Sequence, residues 1–400
     1  MRLTPTSAIL VASGLLPVHV TAQDTSGGAA PAKPCECFVT NGTAPEFFSN
    51  HLFFDYRNLT QFAGVPPAVS NEDAVSDAPI TSDFFASEEW TKHWGTQTWD
   101  NSKGKSQGFS NDATVHMINS ANNLFIQANE DSNADSATYL TMRTKRFKDF
   151  QTAAEFEAIH YDYKFLSLRM LARTVGSAGA VAGMFTYKNS SDPAKVQEAD
   201  IEILTRDPGN VIQYTNQPSD LPDVGTIPEA TRNVTLPDGV KWSDWAVHRV
   251  DWTPERSVWY INGHDVASIA FQVPRDASGI NFNMWSDGGS WSGNMSVGAE
   301  ASLQIKWIEM VYNSTTPIPA RKMARSELQH PRASLIHRST KGKTCQVVCS
   351  IDNGTQPGVS VVLFTSSQSS GARFSSFGTY WLSIYMAAVA LLLPAMLISS

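Results

Sequence analysis

The sequence predicts an all-β protein, a sandwich or barrel of many short strands. Three observations carry this reading. Short runs place apolar residues at alternate positions, the spacing that puts i, i+2 and i+4 on one strand face. The runs are separated by Gly, Pro, Asn and Asp, which favour turns. Convincing helical periodicity is scarce between them. With 400 residues and 42% hydrophobic content, the chain can bury one large core or two ordinary ones.

In chain order, "MRLTPTSAILVASGLLPVHVTAQ" sets one Arg before an apolar run and small residues before Gln23. This reads as a secretory signal over residues 1–22. Residues 23–45 form an N-terminal segment, Gly/Ala/Pro-rich at first and then carrying Cys35 and Cys37. Residues 46–316 hold the strand-like runs: "NNLFIQA" from Asn122, "KFLSLRMLAR" from Lys164, "AVAGMFTYK" from Ala180, "VIQYTNQ" from Val211 and "LQIKWIEMVYN" from Leu303. In "HRVDWTPERSVWYINGHDVASIA" from His248, Thr253-Pro-Glu-Arg marks one turn and Asn262-Gly263 a tight hairpin. Residues 317–370 read as a basic extension and a Ser-rich stalk. Residues 371–400 read as a lipid-anchor signal, with small residues at Ser369–Ala372, a spacer, and the apolar run Tyr380–Ile398. A single-pass tail anchor is the alternative, although no Lys or Arg follows the run.

Four cysteines permit three pairings. Bridges between residues two apart are strained, so a pairing of each N-terminal Cys with Cys345 or Cys349 is expected, against two local bridges. Seven N-x-[ST] sequons, at Asn41, Asn58, Asn189, Asn233, Asn294, Asn313 and Asn353, suit surface loops of a secreted glycoprotein. The formal charge of −8 and the lack of a basic stripe exclude a nucleic-acid partner. The His and Cys spacings match no zinc site, so no metal or other cofactor is expected.

The chemistry-bearing stretch is "QEADIEIL", Gln197–Leu204. On a strand, Glu198, Asp200 and Glu202 share one face, while Ala199, Ile201 and Ile203 share the other. The outer two acids sit about 13 Å apart along the backbone. Side chains leaning together can close that to the roughly 5–5.5 Å used in retaining glycoside hydrolysis. Mutual repulsion would keep one acid protonated near neutrality. Two other readings compete: an acid-dressed strand face that blocks edge pairing, and a Ca²⁺ site.

"EADIE" resembles the E-[hydrophobic]-D-[hydrophobic]-E signature of glycoside hydrolase family 16. "HRVDWTPERSVWYINGHDV", "FNMWSDGGSW" from Phe282 and "QYTNQ" from Gln213 resemble further blocks of that family, in the same order, from about Phe47 to Asn313. The ends resemble fungal cell-wall members. The resemblance implies a concanavalin-like β-jelly roll, a sandwich of two antiparallel sheets. It implies Glu198 as nucleophile, Asp200 as its helper and Glu202 as acid/base. Trp285 and Trp291 would stack sugars, and Tyr214 and Asn216 would line the cleft. His248 reads as a satisfied core residue rather than a catalytic one. The expected activity is a retaining endo-β-glucanase acting on β-1,3 or β-1,3/1,4 glucan at the cell surface, held to the membrane by a lipid. A wall transglycosylase joining glucan to glucan or chitin chains is the alternative, and a non-catalytic lectin a third reading.

Overall fold

A computed structural model describes residues 35–102, 112–221, 223–316 and 345–365. The expected secretion signal and C-terminal anchor signal lie outside the described residues. Among the described residues, no helix is long and apolar enough to cross a membrane.

The runs quoted above are strands. One face layer runs Thr231–Thr235, Val211–Gln217, Gln197–Leu204, Val181–Lys188, Gly279–Trp285 and Phe150–Ala158. The ladder continues through Thr138–Arg146 into the second layer of Glu300–Ser314, Tyr163–Gly176, Ala246–Trp252, Ser257–Ile261 and His264–Ile269. The two layers are therefore one hydrogen-bonded sheet of 16 strands folded over its own core. Pairing is antiparallel, as expected, with one exception in this sheet: His116–Asn119 runs parallel to Phe150–Ala158.

Alternation decides what fills the interior. Ala199, Ile201 and Ile203 meet Ala182, Met184, Phe282 and Met284 in the front layer, and Leu168, Met170, Val250, Trp252 and Leu303 in the back layer. All are essentially sealed from solvent. Each fully buried large apolar side chain contributes about 1.5–3 kcal/mol. The hairpin at Asn262-Gly263 forms with φ of 49° and 82°, the doubly left-handed turn that Asn-Gly favours.

His248 is a core residue, facing inward with Ala246, Val250 and Trp252, but it is not satisfied. Neither ring nitrogen makes a hydrogen bond of good geometry. Burial, only partly offset by the Ala172 backbone, lowers its pKa to about 4, so the ring is neutral. Six of the seven sequon asparagines are exposed. Asn313 is the exception: its amide donates to the Phe47 carbonyl and accepts from Ser49 at a strand end.

The two ends of the described chain come together. Cys35 bonds Cys349 and Cys37 bonds Cys345, so each N-terminal cysteine does pair with a C-terminal one. Cys37–Val39 then pairs in parallel with Val347–Ser350, inside a four-stranded sheet that also holds Phe47–Phe48 and Val361–Thr365. Residues 345–365 are thus folded and docked, which corrects their assignment to an extension and stalk. The cysteines are the reason, since crosslinks over more than 300 residues bring a short apolar strand back to the body.

Beneath this clasp lies a buried ionic network. Arg249 grips Asp251 with two bonds of 2.7 Å, and Arg169 binds Glu309 at 2.6 Å. Asp352 joins both guanidiniums, at 3.1 Å from Arg249 and 3.0 Å from Arg169, and accepts the Asn41 N–H at 2.9 Å. One carboxylate thereby links the C-terminal strands, the N-terminal segment and the back layer. Truncating one partner of a buried ion pair costs about 3–5 kcal/mol. Asp352→Ala is expected at the low end, because each Arg keeps a second carboxylate, with Asp352→Asn milder. Chemical denaturation of both variants measures this.

Candidate active site

The acidic strand Gln197–Leu204 sits in mid-sheet, paired with Val181–Lys188 on one side and Val211–Gln217 on the other. With both edges hydrogen-bonded, its register is fixed, and so is the side each residue faces. Glu198, Asp200 and Glu202 project from the face opposite the core. Glu198 and Glu202 are half-buried, whereas Asp200 is only 2% exposed.

Electrostatics follow from this crowding. Burial, then the charges of Glu202 and Glu155, push the Glu198 carboxyl up, against a hydrogen bond from Asp200. Asp200 is raised by burial and by both glutamates, and Gln217 donates to its Oδ2 at 3.4 Å. Its other oxygen has no partner. Glu202 is raised by burial and opposed by the Trp291 indole, which donates at 3.0 Å. All three are thereby pushed towards the protonated form, with burial the first cause for each, and they titrate as a coupled set.

Trp291 reaches Glu202 because its loop is pinned. The Asp287 carbonyl accepts from the Thr114 and Val115 N–H groups, and Asp112 accepts from Ser290 N at 2.8 Å. Gly288 turns the loop at φ 72°, where a Cβ would also strike Thr114 Oγ1. Trp291 is 38% exposed, and Trp285 is half-buried on the same face of the sheet. Both are available at the surface of the site.

Tyr214 and Asn216 do not line it. The register pairs Ile201 with Tyr214 and Ala199 with Asn216, so both point away from the acids. Tyr214 packs on Trp259 in the core, and Asn216 donates to the Phe271 carbonyl at 2.9 Å. Strand parity, one residue out, explains the correction. The residues facing the acids from that strand are Gln213, Thr215 and Gln217.

Further members of this face carry no motif. Phe185 and Tyr187 stand beside Asp200 and Glu198, and Asn281 and Asn283 follow on the next strand. Glu155 and Glu157 come from the strand after that. Burial drives Glu155 to about 7, with the Asn281 bond opposing. The alternating acids of "AAEFEA" were the available signal, a shorter copy of the pattern in "EADIE". A cavity of about 550 Å³ opens at the Glu198 end, lined by Lys188, Gln197, Gln217, Phe271, Arg275 and Asp276. Among the described residues, no group of three or more His, Cys, Asp or Glu is arranged to hold a metal ion.

A family model, glycosyl hydrolases family 16, matches residues 114–309, a span that includes the acidic strand. A β-glucanase of Bacillus licheniformis is 23% identical over 245 residues, covering 60% of this chain and 90% of that protein. A β-glucanase of Bacillus subtilis (strain 168) is 23% identical over 194 residues, covering 48% and 73%. The solved Bacillus licheniformis β-glucanase superposes with a TM-score of 0.41 at 20% identity, covering 56% of this chain and 94% of that one. An endo-β-1,3-glucanase from Pyrococcus furiosus gives 0.43 at 16% identity, covering 56% and 89%.

The raised carboxyls make stability fall with pH. A group whose folded pKa lies above its unfolded value stabilises fully below the unfolded value, about 4.3 for Glu. That contribution is lost as pH rises through the folded value. Glu198→Gln is therefore expected to raise the melting temperature over wild type at about pH 8, with little difference near pH 4. Thermal melts across pH check this, and an equal shift at both ends would contradict it.

Proposed function

We propose that this chain, whose residues 114–309 match the model of glycosyl hydrolase family 16, is a glycoside hydrolase, a retaining endo-β-glucanase that cuts β-1,3 or β-1,3/1,4 glucan. The observation that carries the proposal is three acids on alternate residues of one doubly paired strand, all pushed towards the protonated form. The Bacillus relatives are β-glucanases, which supports glucan as the substrate.

In this reading Glu198, ionised and held by Asp200, attacks the anomeric carbon. The glycosidic bond breaks as Glu202 passes its proton to the leaving oxygen. Glu202, now a carboxylate, takes a proton from the incoming hydroxyl, whose oxygen displaces Glu198 from the sugar. Net charge is conserved across both steps. The reading assigns the charge to Glu198, where the hydrogen bond from Asp200 favours it, and the proton to Glu202, which burial favours. Trp285 and Trp291 are the proposed stacking surfaces for the sugar rings.

Water as the incoming group gives hydrolysis; a sugar hydroxyl of glucan or chitin gives transfer. Two disulfides and exposed sequons support work outside the cell, with a lipid tether at the surface as the proposed location.

Glu198→Gln and Glu202→Gln are each expected to lower kcat on laminarin at least about 10²-fold while oligosaccharide binding persists. Turnover unchanged in either variant would remove the assignment. Mass spectrometry of the wild-type products separates shorter chains, from hydrolysis, from chains longer than the donor. Trp291→Phe removes the donor that favours the Glu202 carboxylate, so Glu202 should hold its proton to higher pH. The basic limb of the kcat/KM profile is expected to move up, and a shift downward would contradict the role.

A further inference from the structure

The open face carries a second acidic group beyond the strand of Glu198. Register runs from Glu202 through Gly183 and Asn283 to Glu155, and from Asp200 through Phe185 and Asn281 to Glu157. Three strand spacings put this group about 14 Å from the first. The Asn281 side chain, 4% exposed, spends its amide on both acids, at 3.4 Å from Glu155 and 3.3 Å from Glu157. Its own Oδ1 has no partner, and neither does that of Asn283. Gln97 donates to Glu157 at 2.9 Å. Trp99 and Tyr161, 48% and 54% exposed, bond to Glu155 and Glu157.

Acceptors dominate this patch. No cation balances it among the described residues, and Lys188 on a neighbouring strand is engaged by Asp276. Desolvated acids without a counter-charge are costly, and the cost is recovered when a positive group arrives. A charged N–H donor to a carboxylate is roughly twice as strong as a neutral one. The two aromatic rims suit a sugar ring, and their faces attract a cation.

We propose that Glu155, Glu157 and the free carbonyl oxygens of Asn281 and Asn283 form a subsite for a sugar bearing a free ammonium group, a deacetylated 2-amino sugar within the polysaccharide chain. The proposal rests on this face being the glycan cleft. It deepens that reading by giving one subsite a charge preference that a neutral glucan does not exploit.

Calorimetric titration of the full chain carrying Glu198→Gln, to stop turnover, tests it at about pH 7 with three tetramers: β-1,4-glucosamine, its N-acetylated counterpart and laminaritetraose. The glucosamine tetramer is expected to bind at least about tenfold more tightly than the acetylated one. That preference should shrink as salt rises. It should fall below about threefold when Glu157→Gln is added, and Glu155→Gln provides a second, buried probe of the same effect. Equal binding of the two amino-sugar tetramers, or a preference that survives both substitutions, would overturn the proposal. If laminaritetraose fails to bind while the preference holds, the glucan reading is lost and the charged subsite stands.

Discussion

Everything on the open face depends on the ladder that holds Gln197–Leu204 between two neighbouring strands. Hydrogen bonding on both edges leaves no freedom of register, because a slip of one residue would drive three carboxyls into the core. The apolar half of the strand anchors this choice: Ala199, Ile201 and Ile203 are sealed among aromatic and aliphatic side chains. Core packing therefore supplies the free energy that keeps three acids together against their repulsion. The acids respond by holding protons, the condition that acid–base chemistry at neutral pH needs.

A different constraint governs the ends. Two bridges with sequence separations of 314 and 308 residues close nearly the whole described chain into loops. The small sheet they make would have little core alone, with Phe38, Phe48, Val347 and Ile351 as its main apolar contacts. It is seated on the back layer by Asp352, which binds both guanidiniums and the N-terminal segment. Buried charge here gives orientation as much as stability, since an apolar seat would fix no angle. The clasp lies on the layer away from the acids, so it supports the sandwich without touching the face that carries them.

On the open face, hydrogen-bond donors to the carboxyls are fewer than acceptors. Trp291, Gln217, Gln97 and Asn281 donate to the carboxyls, while unpartnered oxygens remain on Asp200, Asn281 and Asn283. A saccharide is rich in hydroxyl donors and can satisfy such a surface, which is why glycan fits better than an anionic ligand. Trp291 has a double position, as an exposed ring and as a donor to Glu202, so any contact made on its ring bears on the proton affinity of Glu202.

The sequence by itself determined the all-β class, the sharing of one face by Glu198, Asp200 and Glu202, and the Asn262-Gly263 turn. All three are local: alternation, turn chemistry and left-handed preference act between residues close in the chain. Local pattern also kept Trp285 and Trp291 together, a few residues apart beside one loop. Tyr214 and Asn216 were placed wrongly because the facing of a neighbouring strand depends on register, which is a pairing between distant segments. Glu155 and Glu157 show the same limit: 41 positions separate Glu157 from Glu198 in the chain, and only sheet order brings their strands onto one face. The folded state of residues 345–365 was likewise decided by tertiary structure. A short strand of four residues has no periodicity to distinguish it from a loop until crosslinks and a buried carboxylate hold it against the body.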